Sequence, residues 1–164
     1  MVAADRFFCI LRRENHQIPN AASEKVHNVE VHEGDWEAHG SIKLWKYTVE
    51  GKEEILKEKV LVDDANKSVI FVALEGHVME EFKSYKIIYK VAPKTDESSM
   101  VKITLDYEKL NENIPDPNKY LQFLVNLVKD IESHLIISLN FVVYISSFVC
   151  ALSWDHGGCI EDLN

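Results

Sequence analysis

Six short segments between residues 25 and 109 alternate apolar and polar positions. A period of two places every second side chain on the same face, which predicts strands rather than helices. Turn-forming residues separate the segments, and the turn at 50–52 allows Gly51 to take a positive φ. We therefore predict a meander of six antiparallel strands, at residues 25–32, 41–48, 55–63, 68–75, 84–92 and 99–109.

The pattern changes to a helical period after Pro115. Apolar residues then recur at spacings of three and four, at Tyr120, Leu124, Leu127, Ile131 and Leu135. This stripe is typical of an amphipathic helix, with Asp116 as its N-cap and Pro117 at its first position. A shorter helix is predicted at residues 3–13. A sheet curved around one long helix leaves a hollow unless bulky side chains fill it, so we expect an α+β fold with room for a ligand.

Length and charge narrow the function classes. The chain has 164 residues, of which 46% are hydrophobic and 27% are charged, as is common for one globular domain. Its formal net charge of -9 opposes binding to phosphate backbones, because nucleic-acid-binding proteins usually carry a basic surface. We therefore expect no nucleic-acid partner.

The cysteines and the first residues indicate a reducing compartment. Cys9, Cys150 and Cys159 are odd in number and show no CxxC spacing, which argues against both a disulfide framework and a zinc site. Residues 1–11 lack the apolar run and cleavage signal of a secretory leader. A cytoplasmic location is the resulting prediction.

Motifs for catalysis and for metal binding are weak. His27, His32 and His39 lack the spacing that would place metal ligands on one face of a helix or strand. No Ser-His-Asp order, GxSxG turn or paired catalytic carboxylate stands out. The loop at 33–40 is acidic and has two glycines, which disfavours phosphate binding. We predict no metal, no cofactor and no enzymatic activity.

A collinear set of motifs resembles the major latex protein-like (MLP-like) proteins of the plant Bet v 1 superfamily. The motifs are IPN at 18–20, VEVHEGDW at 29–36, GSIKLW at 40–45, EGHVM at 75–79, FKSY at 82–85, DYEKL at 106–110 and KDIESH at 129–134. The resemblance covers roughly residues 2–135.

This resemblance implies the START-like helix-grip fold for a ligand-binding domain at 1–135, with a curved antiparallel sheet around a long C-terminal helix. It also implies carriage of small apolar or amphipathic molecules, such as sterols, hormones or other lipid-like metabolites, and an association with defence and stress. Some relatives instead condense or isomerise secondary-metabolite intermediates with a lysine in the same cavity. Lys102 lies near the matching position, but strand alternation predicts that it points outward.

The candidate ligand contacts are inward-facing residues of the strands and of the long helix. They are Lys43, Trp45, Tyr47, Glu58, Val69, Phe71, Tyr85, Ile87, Tyr89, Tyr120, Leu124, Leu127 and Ile131. The same pattern also suits plain core packing. A buried Lys43 and a buried Glu58 would each be costly alone, so the two either pair and orient the polar end of a ligand, or local twist leaves one of them solvated.

Both ends of the chain depart from the family pattern. Family members begin with an additional strand before the first helix, and we expect this strand to be absent here. Its absence would leave one edge of the strand at 99–109 open, which creates an aggregation risk for a protein otherwise expected to be a monomer.

Residues 136–164 form an atypical apolar tail that carries no charge up to Trp154. Three interpretations stay open: a membrane or interfacial segment, a helix extension or strand packed on the domain, and an aberrant terminus. The length of 136–154 would allow membrane contact, but Asn140 and several serines dilute its apolar character, so we do not favour this contact.

Overall fold

The computed structural model describes residues 3–95 and 98–154. In the described residues, six strands form one antiparallel sheet in chain order. They are β1 (Val26–Glu33), β2 (Ile42–Val49), β3 (Lys52–Asp63), β4 (Ser68–Gly76), β5 (Phe82–Thr95) and β6 (Ser98–Lys109). The predicted meander is confirmed, and Gly51 in the turn between β2 and β3 has a φ of 78°.

Within the described ranges, three α-helices accompany the sheet: α1 (Ala4–Arg12), α2 (Ile18–Ala21) and α3 (Asn118–Trp154). Short 3-10 turns lie at Asn15–Gln17 and His77–Glu80. The residues of the predicted helical stripe are all buried, at Tyr120, Leu124, Leu127, Ile131 and Leu135. They belong to the same apolar core as the inward-facing residues of the sheet, which confirms the predicted α+β helix-grip architecture.

The start of α3 differs from the prediction. Asp116 does not cap the helix with its side chain; its carboxylate accepts hydrogen bonds from the Tyr107 hydroxyl at 3.1 Å and from the Lys109 ammonium at 2.7 Å. Both donors belong to β6, so the carboxylate joins the sheet to the segment that leads into α3. A sequence pattern cannot reveal this competition, because the donors become neighbours through the fold.

One edge of the sheet is formed by β6, which pairs only with β5 among the described strands. At the other end of the chain, α3 continues to Trp154. Among the described residues, no helix combines the length and apolar character that crossing a membrane requires. Residues 155–164 and the side chains of 138–154 lie outside the described part, so the interpretations of 136–164 stay predictions.

Candidate functional site

An internal cavity lies between the inner face of the sheet and the helices. The cavity has a volume of about 70 Å³, which is several times the space that one water molecule needs. Its lining is almost entirely apolar or aromatic and consists of Leu11, Ile18, Val26, Trp45, Tyr47, Leu56, Glu58, Phe71, Val78, Tyr85, Ile87, Tyr89, Tyr120, Phe123, Leu124 and Leu127.

Most of the candidate ligand contacts predicted from the sequence lie on this lining. Those brought together are Trp45, Tyr47, Glu58, Phe71, Tyr85, Ile87, Tyr89, Tyr120, Leu124 and Leu127. Lys43, Val69 and Ile131 are buried but are not part of the lining. Alternation correctly places their side chains inside the protein, but it does not distinguish the packed core from the cavity wall.

Other lining residues were missed, namely Leu11, Ile18, Val26, Leu56, Val78 and Phe123. Phe123 follows Tyr120 by three positions and precedes Leu127 by four. The helical period therefore could have predicted that Phe123 lies on the same face as these residues. Leu11 and Ile18 belong to α1 and α2, whose approach to the cavity depends on tertiary packing.

Aromatic rings from β2, β4 and β5 form much of the wall. The ring centroids of Trp45 and Phe71 are 6.3 Å apart, and those of Phe71 and Tyr89 are 5.8 Å apart, with both pairs in edge-to-face geometry. On the helix side, Tyr120 packs edge-on against Tyr85 at 5.9 Å. Such contacts hold the rings in place. A ligand much larger than a few waters must therefore turn or displace some of them.

Glu54 organises one polar corner of the core. Its Oε2 atom accepts hydrogen bonds from the hydroxyls of Tyr47 at 3.1 Å and Tyr120 at 3.0 Å. Burial, together with the nearby carboxylate, raises the pKa of both phenols well above the ordinary value. Both tyrosines therefore stay neutral donors, and the carboxylate ties β2 and β3 to α3.

Glu58 presents the second buried carboxyl, and this one lines the cavity. Glu58 is 3% exposed, and no described side chain donates a hydrogen bond of ordinary geometry to its carboxyl oxygens. Burial raises the pKa of Glu58 from 4.5 to about 8, opposed by the charge of Lys43 and by the indole N–H of Trp45. The pKa values of Tyr85 and Tyr89 are also raised, first by burial and then by the nearness of Glu58.

Lys43 is the register partner of Glu58 across β2 and β3, yet its ammonium is directed elsewhere. It donates hydrogen bonds to Oδ1 of Asn15 and, at 3.2 Å, to the carbonyl oxygen of Trp36. Its nitrogen also lies 5.3 Å from the centroid of the Trp36 ring. Burial lowers the pKa of Lys43 to about 8, opposed by Glu58 and Asp35.

These contacts separate the roles of the two charged residues. Among the described residues, no ion pair within 4.0 Å joins Lys43 to Glu58, and neither residue is solvated. Lys43 instead anchors the loop after β1 and the turn after α1, because Asn15 and Trp36 satisfy its donors. Of the described residues that line the cavity, Glu58 is the only Asp, Glu, Lys, Arg or His.

Comparison with known proteins identifies the family. A model of the pathogenesis-related protein Bet v 1 family matches residues 1–138. The chain belongs to the Bet v 1 family. MLP-like protein 328 of Arabidopsis thaliana is 39% identical to this Bet v 1 member over 134 residues, which is 82% of this chain and 89% of that protein. The resemblance seen in the sequence motifs is thereby confirmed.

Solved structures agree with this assignment. The crystal structure of ginseng major latex-like protein 151 from Panax ginseng matches with a TM-score of 0.78 and 37% sequence identity, over 81% of this chain and 89% of that one. A START superfamily protein from Mycobacterium smegmatis matches with a TM-score of 0.65 at 14% identity, over 81% of this chain and 89% of that one. The second likeness concerns the fold alone.

The lysine considered for catalysis lies outside the cavity of this Bet v 1 member. Lys102 is exposed on β6, opposite Lys90 of β5, as strand alternation predicts. In the loop at 33–40, the carbonyl oxygen of Trp36 accepts a hydrogen bond from Lys43. Oδ1 of Asp35 accepts hydrogen bonds from the backbone N–H groups of Glu37 at 2.8 Å and Ala38 at 2.6 Å. A carboxylate therefore occupies amides that a phosphate would need.

The buried carboxyl of Glu58 should make the stability of this Bet v 1 member depend on pH. An acid whose pKa rises on folding binds more protons in the native state, so stability falls as pH rises from 4.5 to about 8. We expect Glu58→Gln to remove roughly 3 kcal/mol of this fall, measured by urea denaturation at pH 5 and pH 8. The lowered pKa of Lys43 has the opposite effect, because stability rises with pH where the unfolded state binds more protons. This effect begins only above about pH 8.

The exposed Glu53 on the same strand provides the matched control for this measurement. Glu53→Gln should leave the pH dependence of the wild-type protein unchanged. If Glu58→Gln followed the wild-type curve as well, the Glu58 carboxyl would not be buried in the native state.

Proposed function

We propose that this protein binds and carries small apolar or amphipathic plant metabolites, of sterol, hormone or lipid-like type, inside its cavity. The observation that carries the proposal is an internal cavity whose lining is apolar or aromatic except for Glu58. Burial of apolar ligand surface in such a cavity contributes about 25 cal/mol per Å². A cytoplasmic location and a role in defence and stress complete the proposal, supported by the cysteine usage and by the pathogenesis-related family.

The size of the cavity determines how a ligand enters. The cavity volume of about 70 Å³ is small against the roughly 300–1,000 Å³ of common ligand pockets, so a ligand the size of a sterol would have to open the aromatic wall. Phe71 and Tyr89 contact each other at this wall, and rotation of either ring would enlarge the space. We therefore propose a cavity that expands as it fills, at the cost of some ring contacts.

Enlarging a ring at this wall should block binding. We expect Phe71→Trp and Tyr89→Trp each to weaken binding of the hydrocarbon fluorophore diphenylhexatriene at least tenfold, because the added ring atoms occupy ligand space. Thermal unfolding should change less than binding, because an empty cavity leaves room for part of the added volume. Fluorescence titration and melting of the same samples measure both quantities.

A tryptophan on the opposite face of the sheet is the control. Lys90 is adjacent to Tyr89 on β5 but is exposed, so Lys90→Trp adds the same ring outside the cavity and should leave affinity unchanged. Unchanged affinity in both Phe71→Trp and Tyr89→Trp would mean that these side chains belong to a solid core. Absence of saturable binding to the wild-type protein would reject the proposed function itself.

A further inference from the structure

The cavity holds one carboxyl group in an otherwise apolar and aromatic lining. Glu58 lies in the middle of β3, and its residue is 3% exposed. A polar group in such surroundings lowers its free energy when it gains a hydrogen bond. The indole N–H of Trp45 lies near the carboxyl but forms no hydrogen bond of ordinary geometry with it, so a ligand that reaches the carboxyl oxygens can supply one.

The groups around Glu58 determine which ligand chemistry fits. Tyr85 and Tyr89 on β5 line the same cavity, and the nearby Glu58 contributes to the raised pKa of both phenols. Neither hydroxyl has a hydrogen-bond partner among the described residues. The indole N–H of Trp45 on β2 is also buried without a hydrogen-bond partner, whereas the other polar side chains near the carboxyl are engaged. Lys43 on β2 is bound to Asn15 and Trp36.

On the helix side, the hydroxyl of Tyr120 donates to Glu54, as does that of Tyr47 from β2. The lining of the cavity, as far as the structure describes it, contains no lysine, arginine or histidine. An anionic ligand would therefore enter without a cation to compensate its charge. A hydroxyl group, in contrast, can both donate to the carboxyl and accept from a phenol without adding charge.

We infer that Glu58 makes the cavity selective for apolar ligands that end in a hydroxyl group over ligands of the same skeleton that end in a carboxylate. This inference rests on the proposed function and names the ligand class for the same cavity. Glu58 and the hydroxyls of Tyr85 and Tyr89 together bind the polar end, while the aromatic wall encloses the hydrocarbon part.

Displacement of diphenylhexatriene by matched ten-carbon compounds tests the inference at pH 7. The compounds are 1-decanol, decanoic acid and decylamine, each used below the concentration at which it aggregates. We expect decanol to compete at least tenfold more strongly than decanoic acid. Equal competition, or strongest competition by decylamine, would overturn the inference; the latter would mean that Glu58 acts as the counter-ion of a cation.

Variants at Glu58 separate hydrogen bonding from fit. Glu58→Leu removes the hydrogen-bonding group and should weaken decanol about tenfold more than it changes the affinity for diphenylhexatriene, which has no polar group. Glu58→Gln keeps a donor and an acceptor and should retain decanol binding within about threefold. The exposed Glu53→Gln is the matched control on the same strand and should behave as wild type.

The fluorophore distinguishes two kinds of failure. Unchanged decanol affinity in Glu58→Leu, with normal fluorophore binding, would overturn the assignment of Glu58 while leaving the proposed function intact. A wild-type protein that binds neither the fluorophore nor decanol would overturn both.

Discussion

Asn15→Leu is expected to lower the free energy of unfolding by about 4 kcal/mol, because each of three buried polar groups loses a hydrogen bond. Asn15 is fully buried, and its Nδ2 donates to the carbonyl oxygens of Ile10 at 2.9 Å and Leu11 at 2.8 Å. Those carbonyls belong to the last turn of α1. The Oδ1 atom of Asn15 accepts a hydrogen bond from the ammonium of Lys43, which is itself fully buried.

Urea denaturation measures this loss, and Asn20→Leu is the matched control. Asn20 is exposed in α2, so the same substitution there should change stability by less than about 0.5 kcal/mol. A loss below about 1.5 kcal/mol for Asn15→Leu would mean that water replaces its hydrogen bonds.

A double-mutant cycle with Lys43→Met tests whether the two residues act as a unit. Removing both partners eliminates the buried charge that Asn15→Leu alone leaves unpaired. The double variant should therefore be more stable than the sum of the two single losses predicts, by about 1–3 kcal/mol. Additive losses would show that the Lys43 ammonium does not depend on Asn15.

Gly76→Ala is expected to cost about 4 kcal/mol, because both backbone conformation and space oppose a side chain there. Gly76 ends β4 with φ 128° and ψ -179°, a region that residues with a Cβ rarely adopt. A Cβ at this position would lie 2.2 Å from the carbonyl oxygen of Ile55 and 3.0 Å from Cα of Leu56. These contacts are backbone atoms of β3, which cannot move without disturbing the sheet.

The expected consequence of Gly76→Ala extends to the cavity. Leu56 lines the cavity two positions before Glu58, so a shift of β3 should also weaken binding of diphenylhexatriene. Fluorescence titration of the folded variant measures this effect alongside its stability.

Gly51→Ala separates strain from packing. Gly51 also has a positive φ, of 78°, but a Cβ added there would meet no atom within 4 Å, so the cost should be about 1 kcal/mol. Equal losses at Gly51 and Gly76 would mean that the close approach to Ile55 is relieved without cost.

Local periodicity was sufficient to predict the six strands, α1 and the buried stripe of α3, but not α2 or the 3-10 turns. The strands and the buried stripe of α3 follow from side chains that must leave water together, and this constraint acts over neighbouring positions of one segment. The turn at Gly51 is local in the same sense. The family followed from several motifs in the correct order, which is also a property of the sequence alone.

Alternation also identified which side chains point inward, including the two charged ones. It did not decide which of them border a cavity, because that depends on how closely α3 and the short helices approach the sheet. Val69 and Ile131 are as inward as Phe71 and Leu127, yet they are packed on all sides.

The partners of the polar groups were decided by tertiary structure alone. Sequence patterns placed Lys43 and Glu58 on the inner face and left open whether they pair or one of them is solvated, whereas Lys43 bonds to Asn15, 28 positions away. A buried ammonium forms its hydrogen bonds with whichever acceptors the assembled fold brings within reach. For the same reason Asp116 bonds to Tyr107 and Lys109, and the Glu58 carboxyl faces the cavity because no described side chain forms a hydrogen bond of ordinary geometry with it.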